Sequence, residues 1–334
     1  MQTIDSIKPV FIFGMPKSGT SLMLSLLDDH DNLVVFPTES KLFKLFHKHR
    51  FDFRNKREFV DFIFTKTGFA TFNPYVDRYK YESNLTKKVY LDAINYDDFK
   101  KELLNELDKN NIDFNNIKSI FLVLTLALAK IQDKKIANLK YFIEKTPFNE
   151  FYLNEIKDNF SDYKIIHIIR DPRDNFAAYK IFTQQKYGYF NYEFIELWLK
   201  SYFIAKRNQN KKNYFLVSYE ALVRKKERVI KDISDFLGIP FNESMLTPTL
   251  AGKLWPGNSS DKIKFNKISN SRVGIYKNKL NKNEIIIIDY LCLNKKISLY
   301  SFLKALRSFS NKEKARIILI FLYKWVNFVL FKFF

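Results

Sequence analysis

Eight residues near the N-terminus, Gly14-Met-Pro-Lys17-Ser18-Gly19-Thr20-Ser21, have the types and spacing of an anion cradle. Two glycines and a proline interrupt regular structure between Val10–Phe13, an apolar run that reads as a buried strand, and Thr20–Leu27, where helical spacing resumes. A strand, a tight glycine loop and a helix N-terminus turn backbone N–H groups and the positive end of a helix dipole toward one point. Lys17 adds a full charge there, while Ser18, Thr20 and Ser21 add hydroxyl donors. A phosphorylated ligand suits this chemistry. A strand–turn–helix with no ligand is the competing reading.

The loop departs from the pattern G-x-x-x-x-G-K-[ST]. Gly14, Gly19 and Ser21 fall on it, but Thr20 takes the lysine position and the cation sits three residues earlier, at Lys17. An ATPase needs that lysine on its β- and γ-phosphates and a Mg²⁺ ligand after it, so a different phosphorylated donor is implied. The run PKSGTS resembles the 5′-phosphosulfate loop of the sulfotransferases that use 3′-phosphoadenosine 5′-phosphosulfate (PAPS). Three more runs resemble that family, in its order: Glu144-Lys145-Thr146-Pro147, Arg170-Asp171-Pro172 and Ser218-Tyr219-Glu220-Ala221-Leu222. The matching pieces span Pro9 to Gly238.

This resemblance implies roles residue by residue. Lys17, Ser18, Gly19, Thr20 and Ser21 would hold the phosphosulfate, and Lys145 would help bind the leaving phosphate. Arg170 would grip the 3′-phosphate, which suits the planar fork of a guanidinium, and Tyr219 would reach the adenine. Ser271, Arg272 and Gly274 lie in a run that looks like the loop folding over the 3′-phosphate; a basic solvated loop is the alternative. Cytosolic members often place a histidine base after the Lys-Thr pair, where this chain has Pro147. FPTESKLF resembles the position at which carbohydrate and tyrosylprotein sulfotransferases carry a glutamate base, which implies that role for Glu39; a solvated loop residue is the alternative. The family also tends to carry a serine eight residues after the arginine; here Ala178 stands there, leaving Tyr179 or the C-terminal part to compensate. PAPS is the implied co-substrate, adenosine 3′,5′-bisphosphate its product, and no metal is expected.

Glu39 follows the apolar run Leu33–Phe36, where a parallel strand delivers its C-terminal end, the edge at which open α/β sheets bind ligands. Phe142–Glu144, Lys164–Ile169 and Tyr214–Val217 read as further strands, each leading into one of the runs above. His167, inside such a strand, reads as structural. Residues 40 to about 140 read as a helical region that shapes the acceptor side, with Ile117–Ile131 as a buried helix and 68–84 as a loop. Tyr192–Arg207 reads as a helix, and Val229–Leu237 as another closed by Gly238. Alternating strands and helices imply a three-layer α/β fold with a central parallel sheet and a helical insertion. The expected division is a catalytic domain over 1–310 and an apolar, basic helix over 311–334.

Composition limits partners. Hydrophobic residues make up 46 % of the 334, enough for a sizeable core. The net charge is +20, of which +13 falls between Lys253 and Phe334, favouring anionic partners. No nucleic-acid-binding signature is present, so nucleic acid is not expected. One cysteine, Cys292, allows no internal disulfide, and the four histidines lack metal-ligand spacing. No signal peptide is recognised at the start, which points to a cytoplasmic enzyme. Ile317–Phe334 is almost wholly apolar, and as a helix would be roughly 27 Å long. Lys324 and Lys332 argue against spanning, so the tail is expected either in an anionic membrane interface or packed on the core. A Mg²⁺-dependent kinase and a non-catalytic, membrane-attached nucleotide-binding module are the rival functions; the acceptor is not legible.

Overall fold

The computed structural model describes residues 7–49, 53–76, 92–110, 112–187, 193–257, 259, 267–293 and 297–333. Its layering follows from one strand. β1 (Lys8–Phe13) is apolar on both sides, and successive side chains of a strand point to opposite faces. Val10 and Ile12 therefore enter one core and Phe11 and Phe13 the other, all fully buried. Such a strand belongs at the centre of a covered parallel sheet. β1 occupies that place, with β2 (Leu33–Val35), β3 (Tyr141–Lys145), β4 (Lys164–Ile169) and β5 (Tyr214–Ser218) in the order β2-β3-β1-β4-β5, all parallel. The three-layer α/β arrangement is the one implied by the alternating pattern.

One face is covered by the helices Thr20–Leu27, Tyr219–Arg224 and Lys226–Leu237, through Met23, Leu26, Leu222, Ile230 and Ile233. The other is covered by helices that lie between β2 and β3 in the chain, including Leu42–His49, Lys56–Lys66 and Ile117–Ile131. Phenylalanine dominates this second core: Phe121 stacks on Phe142 at 5.4 Å, and Phe11 meets Phe43 edge-on at 5.4 Å. Asn116 caps the helix Ile117–Ile131 by accepting from the amides of Lys118 and Ser119.

A third cluster gathers beyond β4 from the helices Pro172–Tyr187, Glu193–Asn208, Lys282–Cys292, Leu299–Leu306 and Asn311–Phe333, joined by Phe176, Trp198, Ile287, Phe302, Ile317 and Ile320. Tyr192, where the sequence reading starts a helix, lies outside the described residues. So do positions 77–84 of the expected loop, whose first part, Gly68–Phe72, is instead a buried 3₁₀ turn.

His167 is fully buried in β4. Its Nε2 meets Ser201 Oγ at 3.0 Å, and that hydroxyl donates to Glu150 Oε1 at 2.7 Å. Ser201 Oγ can then only accept from the imidazole, so Nε2 carries the proton and Nδ1 accepts from the Tyr214 hydroxyl. Burial holds the imidazole down to about 3, and it stays neutral in the folded protein. The unfolded chain takes up that proton below about pH 6.5 while the folded chain does not, so stability is lost as pH falls through that window, by up to ~1.4 kcal/mol per pH unit. Chemical denaturation at pH 7 and pH 5 is expected to show a steeper loss for the native sequence than for His167→Gln. Equal losses would remove His167 as the cause.

Candidate active site

All five parallel strands deliver their C-terminal ends to one edge of the sheet. The loop after β1 is set by backbone geometry. Gly14, Lys17 and Gly19 all have positive φ, and Ser18 N closes a tight turn on Met15 O at 3.1 Å. A side chain on Gly14 would stand 2.7 Å from Ile168 O of β4, and one on Gly19 would stand 2.5 Å from the Tyr219 ring. Both glycines are thus close-approach positions. The helix Thr20–Leu27 starts at Gly19 with no side-chain cap, so its first amides are not consumed by a capping oxygen. Ser18 Oγ is buried with no hydrogen-bond partner among the described residues. Ser21 is half-buried on the first turn, and Lys17 Nζ lies 4.3 Å from the centre of the Phe182 ring.

Arg170 leaves β4 beneath this loop and is only 5 % exposed. Its Nη1 donates to Lys17 O at 2.8 Å, its Nη2 to Arg272 O at 2.6 Å, and its plane lies 4.5 Å from the Tyr219 ring centre. Its Nε is buried and unpartnered among the described residues. The segment with Ser271, Arg272 and Gly274 is tied down by Asp174, which accepts from Gly274 N at 2.6 Å and Tyr276 N at 3.0 Å. Ser271 itself is exposed and hydrogen-bonded to Ser269 within its own turn. Ala178 is buried, and Tyr179 stacks on Phe194 at 4.4 Å, so the tyrosine ring serves packing.

The ends of β2 and β3 bring Glu39 and Lys145 into contact, with Lys145 Nζ donating to Glu39 Oε1 at 2.9 Å. Lys145 is almost fully buried, whereas the Glu39 side chain is 37 % exposed. Burial by itself would push the Glu39 carboxyl up, but the Lys145 ammonium, with Lys41 and Lys17 behind it, outweighs that and holds it below its ordinary value.

Sequence reasoning missed two supports of this pair. Glu144, fully buried in β3, accepts from Ser40 Oγ at 2.7 Å, Thr146 Oγ1 at 2.6 Å and Asn149 Nδ2 at 2.6 Å. Ser40 follows Glu39 and Thr146 follows Lys145, so one carboxylate fixes both neighbours. Gly68 is the second: a side chain there would stand 1.4 Å from Glu39 O. Its own amide donates to Ser40 O at 3.3 Å. A glycine opening a loop signals a turn, and only the fold reveals which backbone it must approach.

An anionic, phosphate-bearing ligand fits the residues present. Two buried donors, Ser18 Oγ and Arg170 Nε, are unpartnered among the described residues, on a loop whose helix N-terminus is uncapped. Anions bind at such termini. A profile of the "Sulfotransferase family" matches residues 9–243. The chain belongs to the sulfotransferase family. A comparison with curated proteins finds no match. Among solved structures, this sulfotransferase is similar to the sulfotransferase domain of the Synechococcus PCC 7002 olefin synthase at 18 % identity, covering 90 % of this chain and 94 % of that one, TM-score 0.47. It is similar at 18 % identity to the sulfotransferase domain of the curacin biosynthetic pathway, over 87 % and 99 % of the two chains, TM-score 0.48. Mouse sulfotransferase SULT7A1, complexed with PAP, is 15 % identical over 90 % of each chain, TM-score 0.46.

Gly68→Ala is expected to push the Glu39 backbone aside and slow the sulfotransferase by about a hundredfold, since ~1 Å displacements cost that much. The readout is turnover of any accepted substrate at unchanged circular dichroism. Turnover equal to the parent would show that Glu39 tolerates the shift.

Proposed function

We propose that this sulfotransferase moves the sulfuryl group of PAPS to a hydroxyl or amine of its acceptor. The observation that carries the reading is the convergence of Lys17, Arg170, Lys145 and Glu39 on one sheet edge around an uncapped helix N-terminus. PAPS supplies the sulfuryl group, and adenosine 3′,5′-bisphosphate leaves. Ser18, Gly19, Thr20 and Ser21 would hold the phosphosulfate through amides and hydroxyls. Arg170 and the segment of Ser271, Arg272 and Gly274 would face the 3′-phosphate, and Tyr219 the adenine.

Glu39 would take the acceptor proton as the new bond to sulfur forms, and Lys17, Lys145 and the loop amides would stabilise the charge that builds on the leaving phosphate. An ammonium has three donors, so Lys145 can keep Glu39 in place while offering the others to that charge. The ion pair has a cost: a carboxylate held below its usual range is a weaker base. In return it stays ionised to a lower pH than an unpaired glutamate would.

Thermal shift tests the donor. Adenosine 3′,5′-bisphosphate at ~100-fold saturation is expected to stabilise the chain by about 2.7 kcal/mol, with AMP and ATP–Mg²⁺ weaker and the effect lost in Arg170→Ala. A shift with ATP–Mg²⁺ alone would overturn the reading in favour of a kinase. Binding without turnover, unaltered by Glu39→Gln, would favour a non-catalytic module.

The pH profile tests the base. Because the Glu39 carboxyl is lowered, its acid limb in kcat/KM should lie below about pH 4.3, the ordinary glutamate value. Lys145→Met should move that limb upward. A limb near pH 6.5 in the native enzyme would point to histidine instead.

A further inference from the structure

The helix Asn311–Phe333 meets the body of the protein along its polar stripe. Arg316 pairs with Glu193, Lys324 Nζ donates to Tyr290 O at 2.8 Å, and Arg207 Nη2 donates to Asn327 Oδ1 at 3.0 Å. Ile317 and Ile320 are buried among these contacts. The other side carries Ile318, Leu319, Leu322, Trp325 and Val326, which are 46 % to 64 % exposed. At ~100° per residue they cover an arc of about 120°.

The preceding helix, Leu299–Leu306, is built the same way. Phe302, Ala305 and Leu306 are buried, while Leu299, Tyr300 and Leu303 stand in solvent. Tyr290 stacks on Phe302 at 4.2 Å and on Phe321 at 5.9 Å, so both helices are anchored on one aromatic group and turn apolar side chains away from it. A surface helix of an ordinary globular protein has the opposite polarity. An exposed apolar face of this kind marks an interaction surface.

Charge identifies the occupant. Residues 297–327 contain six Lys and Arg (304, 307, 312, 314, 316 and 324) and a single acid, Glu313. Glu313 is engaged with Ser310, and Arg316 and Lys324 are turned to the body. Lys304, Arg307 and Lys312 are exposed beside the apolar residues. Two copies paired about a two-fold axis would set this cationic patch against an identical one, which is unfavourable. An anionic surface is matched to them. Trp325 and Tyr300 are also residue types that favour the boundary between water and lipid.

We propose that this face docks on an anionic lipid surface. The exposed arc of Ile318, Leu319, Leu322, Trp325 and Val326 enters the headgroup–acyl boundary, and Lys304, Arg307 and Lys312 lie on lipid phosphates. Among the described residues no helix is long and apolar enough to cross a membrane, and the proposed seat is parallel to the bilayer. It depends on neither the donor nor the acceptor of the transfer reaction.

The full chain, sedimented with phosphatidylcholine vesicles and with phosphatidylcholine–phosphatidylserine vesicles, provides the test. Binding is expected only to the latter, to weaken with salt, and to shift tryptophan emission to the blue. The triple variant Leu319→Ser/Leu322→Ser/Trp325→Ser and the triple variant Lys304→Glu/Arg307→Glu/Lys312→Glu change exposed side chains and should keep the fold. Each is expected to lose about tenfold or more in vesicle affinity. Absence of binding to the anionic vesicles, equal binding to both kinds, or indifference to both variants would overturn the proposal. A dimer in light scattering that the serine variant dissolves, with vesicles ignored, would give the face to a second copy instead.

Discussion

A guanidinium taken out of water is the constraint on which the site depends. Removing an ion from solvent costs several kcal/mol unless hydrogen bonds replace its hydration. Arg170 replaces much of it with two main-chain carbonyls, those of Lys17 and Arg272, and with the face of Tyr219. Those carbonyls belong to loops distant in sequence, one after β1 and one near the C-terminal helices. The arginine therefore shapes both. Carbonyls are neutral, so among the described residues the charge beneath the loop is solvated by dipoles without being cancelled by a bonded carboxylate. Asp174 directs its oxygens at the amides of Gly274 and Tyr276.

The opposite side of the cleft follows the same logic with the sign reversed. Glu144 is an acid with no exposure, supported by three donated hydrogen bonds. It binds the residue after Glu39 and the residue after Lys145, and so sets the register of two strands' ends against each other. Burial pushes its carboxyl up, opposed by the donors from Thr146 and Ser40. The exposed Glu39 and the buried Lys145 then meet at a separation that neither loop would maintain alone.

Much of this was legible in sequence wherever chemistry sits at a fixed offset from a local pattern. The apolar runs at Val10, Phe142 and Lys164 announce strands, and the residue that follows each lies on the sheet edge by construction. The helix Ile117–Ile131 has a capping asparagine and an apolar surface nearly all round, and its ends read directly from the chain. Contacts across long separations do not read this way. Nothing near Gly68 indicates that it abuts Glu39, and Glu144 looks like an interior strand residue with an accidental charge. The tail shows the same limit in another form. A helical wheel groups Arg316, Lys324 and Asn327 on one side, but it does not say which side faces the body.

The family match ends at residue 243, yet Arg170 Nη2 rests on Arg272, and Asp174 holds Gly274 and Tyr276. The end of the matched region is thus not the end of the contacts that hold the site. Residues after 243 contribute to the solvation of a charge laid down in the matched part of the chain, and they supply three of the five helices that join in the third hydrophobic cluster. A substitution there can alter how Arg170 is held without touching any residue of the matched region.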